Sequence, residues 1–461
     1  MKRIRYAVCG LSTRSIYHFV LPLLGRSDNG GANFSDRGEV VGVLDLDEAR
    51  VRTFCQKVGV NLPYYGPDAL PRMLAEQRPE TLLVAGPDYT HGAHIVGGLR
   101  GGCDVITEKT MVVNCREAQE VRRAERESGR RLQVAFNYRY APLHKRLKRL
   151  ILDGRVGRIT NVEFVYNLDT WHGSSYFYRW NRRRANSGGL NMHKCCHHFD
   201  LVNWWLGDVP EELFAYGALN YYGKNGALRP RDVQGRPLDP VEEKRRCPIF
   251  QKHYAGKLAP DDNDIRTGWD RFSLPYDAQY PPTQRRYIYD DEIDIEDTYS
   301  VVVRYRGGAS MSYSFNACTP WEGYILGING TAGRLQVVHH SNPDPTGLTA
   351  PAEARTRITC FPLFGGQEVI EVPPVAGGHG GADGQIQHDL FVGPSAESRK
   401  LALPAGSEAG ALAVAMGEAV VLSMRNHRPY RMADLLADPP AAMPCGAAAP
   451  SGDFNESGVS K

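Results

Sequence analysis

The sequence predicts an α/β protein of two domains. The first is a doubly wound parallel sheet, and the second is an α/β domain with a large, mostly antiparallel open sheet. Two observations predict this fold class. The N-terminal third alternates short, almost continuously apolar runs with helical stretches, as parallel strands covered on both faces do. Further along, strands are separated by glycine-containing turns, which is typical of antiparallel pairing. At 461 residues the chain is also long for a single hydrophobic core.

We place the first domain at residues 1–137, where strands and helices alternate strictly. The order predicts a nucleotide-binding unit, because such units repeat a strand followed by a crossover helix. The predicted strands are 4–9, 39–45, 81–85, 103–107 and 132–136, and the predicted helices are 15–25, 47–58, 91–101 and 115–128.

The second domain is placed at 138–436, and 437–461 is expected to be a flexible tail because it is rich in Ala, Pro, Gly and Ser. In residues 221–296 the apolar residues follow neither a helical nor a strand spacing, but many side chains are aromatic. We therefore expect an ordered excursion over the site or over a neighbouring subunit. The predicted strands are 158–168, 298–305, 309–316, 324–329 and 334–338, and the predicted helices are 142–153, 191–206, 383–391 and 409–426.

Composition is that of an ordinary soluble globular protein, with 42% hydrophobic and 23% charged residues. A net charge of +3 spread along the chain predicts neither a nucleic-acid nor a membrane partner. The first residues lead into a strand pattern without the apolar core of a secretory signal. No window is expected to reach the roughly 20 apolar residues of a membrane span. Ten cysteines in no regular framework then indicate reduced thiols in a cytoplasmic protein.

The turn after the first strand predicts a phosphate-binding site. A dinucleotide fingerprint carries glycine at the positions of Gly10, Ser12 and Ser15, and only Gly10 keeps it. Serine is small enough for a close backbone approach, and its hydroxyl can bond a phosphate oxygen. With Thr13 and Arg14 the turn opens a helix, whose free N–H groups favour a pyrophosphate. An ordinary strand–turn–helix connection would have a similar sequence.

Asp45 ends the second predicted strand and indicates which dinucleotide binds. A carboxylate there accepts hydrogen bonds from the adenosine ribose and repels a 2′-phosphate, so NAD is expected rather than NADP. The alternative is that Asp45 caps the following helix. After the third strand, Pro87, Thr90 and His91 lie where the chain turns beneath a nicotinamide ribose, although helix capping explains Thr90 equally well.

Two further stretches carry the chemistry. Glu108 and Lys109 end the fourth predicted strand, where strand ends meet the ligand crevice of an open parallel sheet. Downstream, 187–200 places His193 and His197 on one short helix. Lysine and histidine near a nicotinamide suggest oxidation of an alcohol.

These motifs occur in an order that resembles the Gfo/Idh/MocA oxidoreductase family: 10–12, Asp45, 87–91, 108–110 and the helix at 193–200. The resemblance covers roughly residues 3–436. It implies an N-terminal Rossmann domain, a C-terminal open-sheet domain, and a nicotinamide cofactor that acts on sugars or cyclitols. It also implies assembly as a homodimer or homotetramer.

Residue by residue, Lys109 matches the catalytic lysine of the family, and Thr110 departs from the usual Glu-Lys-Pro. His197 takes the position of the family histidine. His193 stands where the family has its catalytic aspartate, and Cys195 where it has glycine. A histidine cannot tune its neighbours by negative charge, so this departure puts the role of position 193 in question.

The chemistry remains feasible with these groups. A cationic Lys109 can stabilise the developing alkoxide, and a neutral His197 can take the hydroxyl proton as general base. His193, four residues away and expected on the same helix face, would bind substrate or relay the proton. The alternatives are that the histidines are structural, or that His193, Cys196, His197 and Asp200 bind a metal; we expect no metal.

Substrate binding is predicted in two places. The neighbouring stretches 171–173 and 176–181, which include Tyr178, Arg179 and Trp180, combine aromatic faces with polar groups, as sugar recognition requires, although core packing also explains such residues. The loop 377–383, which contains His379, resembles the His-Gly-Gly-x-Asp loop of the NAD-dependent glycosidases of the same family, although a plain surface turn is the alternative.

Three functions follow from these observations. The favoured one is an NAD-dependent dehydrogenase for a sugar, sugar derivative or cyclitol. The second is a redox-assisted glycosidase or lyase that passes through a 3-keto sugar and recycles NAD within each turnover. The third is a regulator that senses a ligand without turnover, which the presence of both Lys109 and His197 disfavours.

Overall fold

The computed structural model describes residues 2–26, 32–253, 255, 272–281, 286–341, 356–373, 375 and 378–437. The expected tail therefore lies outside the described residues, apart from residue 437. Two sheets organise the remainder, and each is covered by helices.

The first sheet has six parallel strands in the order β3-β2-β1-β4-β5-β6, which confirms the doubly wound fold. Chain order reverses between β1 and β4, so the ligand crevice lies at their carboxyl ends. The strands are β1 Ile4–Cys9, β2 Gly38–Leu44, β3 Tyr64–Tyr65, β4 Thr81–Val84, β5 Asp104–Thr107 and β6 Leu132–Val134, and the helices are α1 Thr13–Ser15, α2 Leu21–Leu23, α3 Glu48–Val58, α4 Leu70–Gln77, α5 Asp88–Arg100 and α6 Cys115–Ser128.

The second sheet has nine strands in the order β14-β13-β12-β11-β7-β10-β9-β8-β15, and all its pairs except β7 with β10 are antiparallel. It confirms the open, mostly antiparallel sheet. The strands are β7 Ile159–Asp169, β8 Pro210–Ala218, β9 Thr298–Tyr305, β10 Ser310–Thr319, β11 Gly323–Gly330, β12 Gly333–His340, β13 Thr356–Pro362, β14 Glu368–Val372 and β15 Tyr430–Arg431.

Helices of the second part of the chain cover one side of this sheet and border the crevice. They are α7 Pro142–Leu152, α8 Thr170–Tyr178, α9 Arg184–Ser187, α10 Leu190–His193, α11 Cys196–Leu206, α12 Pro240–Arg246, α13 Pro248–His253, α14 Gly378–Phe391, α15 Ala396–Lys400, α16 Ser407–Asn426 and α17 Met432–Leu436. The stretch expected as one helix at 191–206 is two, α10 and α11. The helix expected at 383–391 begins at Gly378, after which three residues have left-handed backbone.

One expectation is corrected by helix α16. It is long and apolar enough, by length and composition, to cross a membrane, whereas the sequence was expected to hold no such window. However, 67% of that window is buried inside the structure, where α16 packs against α6, α11 and β8. It is therefore a central packing element of the fold. Every cysteine among the described residues is a free thiol.

Buried histidines make stability depend on pH. Burial lowers the pKa of His18 to about 3 and that of His144 to about 4. Both side chains are neutral in the fold, whereas in the unfolded chain they gain a proton below about pH 6.5. Acid therefore favours the unfolded state, by about 2 kcal/mol per histidine at pH 5 relative to pH 7.5.

We expect urea unfolding to show this loss directly. His144→Gln should reduce the difference in unfolding free energy between the two pH values, whatever its effect on absolute stability. The control is His388→Gln, because His388 is 51% exposed in its side chain. An unchanged pH difference in His144→Gln would contradict the assignment.

Candidate active site

The turn after β1 has the geometry of a dinucleotide site. Gly10 has φ +92°, and a Cβ placed on it would lie 2.3 Å from the Cα of Gly86, so only glycine fits. Ser12 caps the helix that follows, and its hydroxyl accepts a hydrogen bond from the N–H of Ser15 at 3.1 Å. This close approach of two strand ends beneath a helix N-terminus fits the pyrophosphate of a dinucleotide.

Asp45 lies at the edge of the same crevice. Its carboxylate accepts hydrogen bonds from the N–H groups of Leu11 at 2.6 Å and Asp47 at 2.9 Å. Burial raises the pKa of Asp45, and these hydrogen bonds oppose that rise. The helix cap is Asp47, which accepts from the N–H of Arg50 at 3.0 Å, so capping of α3 is not the role of Asp45.

Asp45→Ala should therefore erode the preference for NAD over NADP, since the ribose loses its acceptor and a 2′-phosphate loses its repulsion. We expect a drop of about tenfold or more in the ratio of the two affinities. Titration of each cofactor against the intrinsic fluorescence checks this, with Asp36→Ala on the surface as control. An unchanged ratio would remove Asp45 from cofactor selection.

Arg14 and Glu108 form an ion pair at the crevice. The Nε of Arg14 donates to Glu108 at 2.7 Å, and its Nη1 donates to Asp383 at 3.2 Å. Thr13 forms a hydrogen bond with the Tyr276 hydroxyl at 2.8 Å. The side chains of Thr13 and Arg14 are thus committed to protein partners, and the backbone of the turn carries the phosphate-binding geometry.

Residues 87–91 follow β4, whose carboxyl end borders the crevice. Pro87 precedes α5, and the Thr90 hydroxyl donates to the Pro87 carbonyl at 2.8 Å. The two ring nitrogens of His91 lie 2.8 Å from the carbonyl of Thr110 and 2.9 Å from that of Gly86, so the N–H of a neutral ring donates to one of them. His91 is buried and links the segments that follow β4 and β5.

Lys109 reaches across to the second part of the chain. Its Nζ donates to the carbonyl of His193 at 2.8 Å. In a continuous helix that carbonyl would accept from the N–H of His197, but this N–H points to the Lys194 carbonyl instead. The break between α10 and α11 therefore provides the acceptor that fixes the lysine. The Lys109–Thr110 peptide bond is cis.

His193 is held on both sides of its ring. Nδ1 bonds Asp88 at 2.5 Å, and Nε2 lies 3.2 Å from the amide nitrogen of Asn181. Burial lowers the pKa of His193 to about 4, against the opposing effect of Asp88. The ring is neutral, with its proton on Nδ1. A carboxylate is thus present beside position 193 after all, supplied by Asp88 from the first domain.

His197 lies against Tyr138, with parallel rings 4.1 Å apart. It is 5% exposed, and burial holds its pKa well below the usual range, helped by the charges of Lys109 and Lys194. The imidazole is therefore neutral at ordinary pH and keeps one unprotonated ring nitrogen. Since α10 and α11 are separate helices, the expectation that His193 and His197 share one helix face is wrong.

The start of α14 brings His379 close to Tyr138. Its Nδ1 bonds Asp383 at 2.9 Å, and its ring lies 6.3 Å from that of Tyr138. Asp383 in turn binds Arg14, so the loop is tied to the dinucleotide turn.

The three residues expected to hold substrate are separated. The ring of Trp180 meets His193 edge-on at 5.5 Å, and the guanidinium of Arg179 lies 5.7 Å from the ring of Tyr176. Tyr178 is buried and packs against Tyr287. Tyr287 belongs to the insertion at 221–296, so this contact of Tyr178 is one of packing.

The histidine cluster does not converge on a common point. Asp200 binds Arg139 at 2.5 and 2.7 Å, away from the bonds of His193. Within the described part of the chain, no group of three or more His, Cys, Asp or Glu side chains is arranged to hold a metal ion.

Several contacts of the site were not predicted, although His172, Tyr176 and Asn181 lie within the stretches 171–173 and 176–181 that were expected to bind substrate. Asp88, Asn181 and Tyr138 contact the two histidines, and a hydrogen-bonded chain links Glu322, His172 and Tyr176 at 2.9 Å per step. The ring of Tyr176 meets His193 at 5.5 Å. Asp88 had a signal, since it lies within the quoted 87–91 motif. Tyr138 and Glu322 had none, because their partners His197 and His172 are far away along the chain.

Comparison with known proteins identifies the family of both parts of the chain. Residues 4–136 match the family model described as the NAD-binding Rossmann fold of the Gfo/Idh/MocA oxidoreductases, and 148–432 match that of the C-terminal α/β domain. YteT of Bacillus subtilis strain 168, an oxidoreductase by name, is 42% identical over 440 residues, which are 94% of this chain and 99% of YteT.

More distant relatives share parts or the fold alone. The inositol 2-dehydrogenase of Rubrobacter xylanophilus is 27% identical over 194 residues, 41% of this chain and 50% of that protein. The solved structure of a levoglucosan dehydrogenase in complex with NADH and levoglucosan has a TM-score of 0.62 at 13% identity, and the match covers 94% and 100% of the two chains. With its NAD-binding Rossmann domain and its open-sheet domain both matched, the chain belongs to the Gfo/Idh/MocA oxidoreductase family.

Proposed function

We propose that the protein oxidises a secondary hydroxyl of a sugar, sugar derivative or cyclitol, with NAD as the hydride acceptor. The observation that carries this is the pairing of a fixed lysine with neutral histidines at the carboxyl end of β5. The Nζ of Lys109 is anchored 2.8 Å from the His193 carbonyl, and His197 lies beside it with a lowered pKa. The names of the inositol and levoglucosan dehydrogenases support the substrate class.

The residues that would hold NAD are Gly10 and Ser12 at the pyrophosphate and Asp45 at the adenosine ribose. When bound, NAD supplies the electrophilic ring carbon that takes a hydride. The remaining work belongs to the protein. Lys109 donates a hydrogen bond to the substrate oxygen and stabilises its negative charge as the C–H bond breaks. The imidazole of His197 accepts the hydroxyl proton.

His193 and Asp88 complete the site. Because both ring nitrogens of His193 are bonded to the protein, we assign it to positioning Lys109 through its carbonyl rather than to proton transfer. Trp180, Arg179 and Tyr176 form the wall beside it and supply aromatic faces and a cation for substrate hydroxyls.

The experiment is an absorbance scan of the NAD-supplied protein against free sugars, cyclitols and nitrophenyl glycosides. Growth of the near-ultraviolet band of reduced nicotinamide with a free sugar or cyclitol is the expected result. A protein that binds NAD but reduces it with none of them, and cleaves no glycoside, would contradict the proposal.

A second function is favoured by the position of His379. The ring lies near Tyr138 and His197, and its loop is tied to Arg14 through Asp383. An additional acid–base group there suits an enzyme that oxidises a glycoside, eliminates the aglycone, adds water and reduces the ketone again. In the same scan, release of nitrophenol that requires NAD, without net reduced cofactor, would select this function.

We also propose that the protein forms a homodimer or homotetramer through the second sheet. Large apolar side chains are exposed on β8, β9, β11 and β12: Tyr216, Val302, Ile325 and Val338. Such a face is typical of sheets that pack against another copy. A monomeric mass in solution would contradict this proposal.

A further inference from the structure

Part of the long insertion lies on the first domain, beside the dinucleotide turn. Within this insertion, the ring of Phe272 packs on two aromatic side chains. Its ring centre lies 6.0 Å from that of Tyr17 and 5.7 Å from that of Phe54. The ammonium group of Lys57 donates to the carbonyl of Phe272. We call residues 272–281 the cover segment. These contacts fix it to the helices that follow β1 and β2.

The centre of the cover segment is Tyr276. Its hydroxyl bonds Thr13 at 2.8 Å and accepts from Arg50 at 3.0 Å. The guanidinium of Arg50 also lies 3.9 Å from the centre of the Tyr276 ring, a cation–π contact. Thr13 belongs to the turn that fits the pyrophosphate, so the phenol lies at the opening of the cofactor site.

Arg50 connects the cover segment to that turn. Its Nε donates to the Leu11 carbonyl at 2.7 Å, and its Nη1 donates to the Pro275 carbonyl at 3.2 Å. The side chain is 3% exposed, and its guanidinium is bonded on several sides. Leu11 is also the residue whose N–H binds Asp45, so Arg50 and Tyr276 lie directly beside the predicted adenosine ribose position.

The cover segment continues toward the substrate side. The N–H of Ala278 lies 3.5 Å from the carboxylate of Asp47, and the ring of Tyr280 is 6.1 Å from that of Tyr276. Burial raises the pKa of Tyr280 to about 12, while hydrogen bonding to the backbone at Trp180 opposes that rise. Trp180 meets His193, so the cover segment spans from the adenosine end of the crevice to the histidines.

We infer that Tyr276 and Arg50 form a wall of the adenosine half of the NAD site, and that the cover segment keeps NAD bound between turnovers. Release of the dinucleotide requires these contacts to open, because Tyr276 bridges the turn and the α3 arginine. The inference rests on the NAD site of the proposed function but not on hydride transfer. A retained cofactor favours reactions in which the hydride returns to a carbonyl carbon in the same site.

The test measures the dissociation rate of NADH from the full chain without any sugar. Protein loaded with NADH is mixed with excess NAD, and loss of the fluorescence of bound NADH is followed. Tyr276→Ala should accelerate dissociation roughly tenfold or more, and Tyr276→Phe, which keeps the ring but loses both hydroxyl bonds, severalfold. Phe364→Ala, at an exposed phenylalanine between β13 and β14, is the control and should match the wild type.

Two results would overturn the inference. One is an unchanged dissociation rate in folded Tyr276 variants. The other is tighter NADH binding in Tyr276→Ala, which would mean that the phenol blocks the site rather than covers it. If Tyr276→Ala does not fold, Tyr276→Phe decides alone. Since no sugar is present, failure here is separate from failure to oxidise an alcohol.

Discussion

Replacing Lys109 by alanine is expected to lower kcat by about 10²–10⁴-fold, because the developing alkoxide loses its hydrogen-bonded cation. The affinity for NAD should remain nearly unchanged, since the turn at Gly10 and the carboxylate of Asp45 lie on other strands. The loss should appear in kcat rather than KM, because the interaction strengthens as the C–H bond breaks.

The measurement combines steady-state rates with a separate NADH titration. Lys400→Ala, an exposed lysine at the end of α15, is the control. The thermal midpoint of Lys109→Ala is needed as well, because the variant also loses the hydrogen bond to the His193 carbonyl. A folded Lys109→Ala protein with a near-normal rate would remove the lysine from the mechanism.

The second large effect is expected at His197. His197→Phe keeps a ring to stack on Tyr138 but has no nitrogen to accept a proton, so kcat should fall by about 10²–10⁴-fold. His388→Phe, at an exposed histidine, is the matched control. A rate close to that of the wild type would move the base to another group, and His379 would then be the first candidate.

The pH profile offers an independent check on His197. Only the neutral imidazole accepts a proton, and burial together with the charges of Lys109 and Lys194 keeps its pKa well below 6.5. Activity should therefore persist as the pH falls through 6.5, and the acidic fall in kcat/KM should lie below that value. A fall centred near pH 6.5 or above would contradict the lowered pKa.

Much of the fold could be predicted because its signals are local. Apolar runs that alternate with helical stretches define the first sheet, and glycine-containing turns define most antiparallel strands of the second. Strands β3, β8, β13, β14 and β15 were not predicted; β3 and β15 have two residues each, and β14 is a mostly exposed strand at the edge of its sheet.

The residues of the site likewise divide into those with a local signal in the sequence and those without one. Gly10, Asp45 and Lys109 could be predicted from their places at strand ends, where topology brings ligands. The pairing of His193 with Asp88 could not, because the two residues are 105 positions apart. The break between α10 and α11 could not be predicted either, because it involves a contact between distant residues. The carbonyl of His193 accepts from Lys109 there instead of from the next helical turn. The position of Tyr276 could not be predicted, because the apolar residues of the insertion follow neither a helical nor a strand spacing.

A single-turnover measurement of hydride transfer tests most directly whether the protein oxidises an alcohol with NAD. Wild-type protein carrying NAD is mixed rapidly with candidate sugars and cyclitols, and the absorbance of reduced nicotinamide is followed. This reading detects the transfer whether or not the hydride later returns. We expect a rapid rise approaching one reduced cofactor per site, which Lys109→Ala and His197→Phe should slow. A protein that is saturated with NAD and with a bound sugar, and still shows no reduced nicotinamide, would contradict the account.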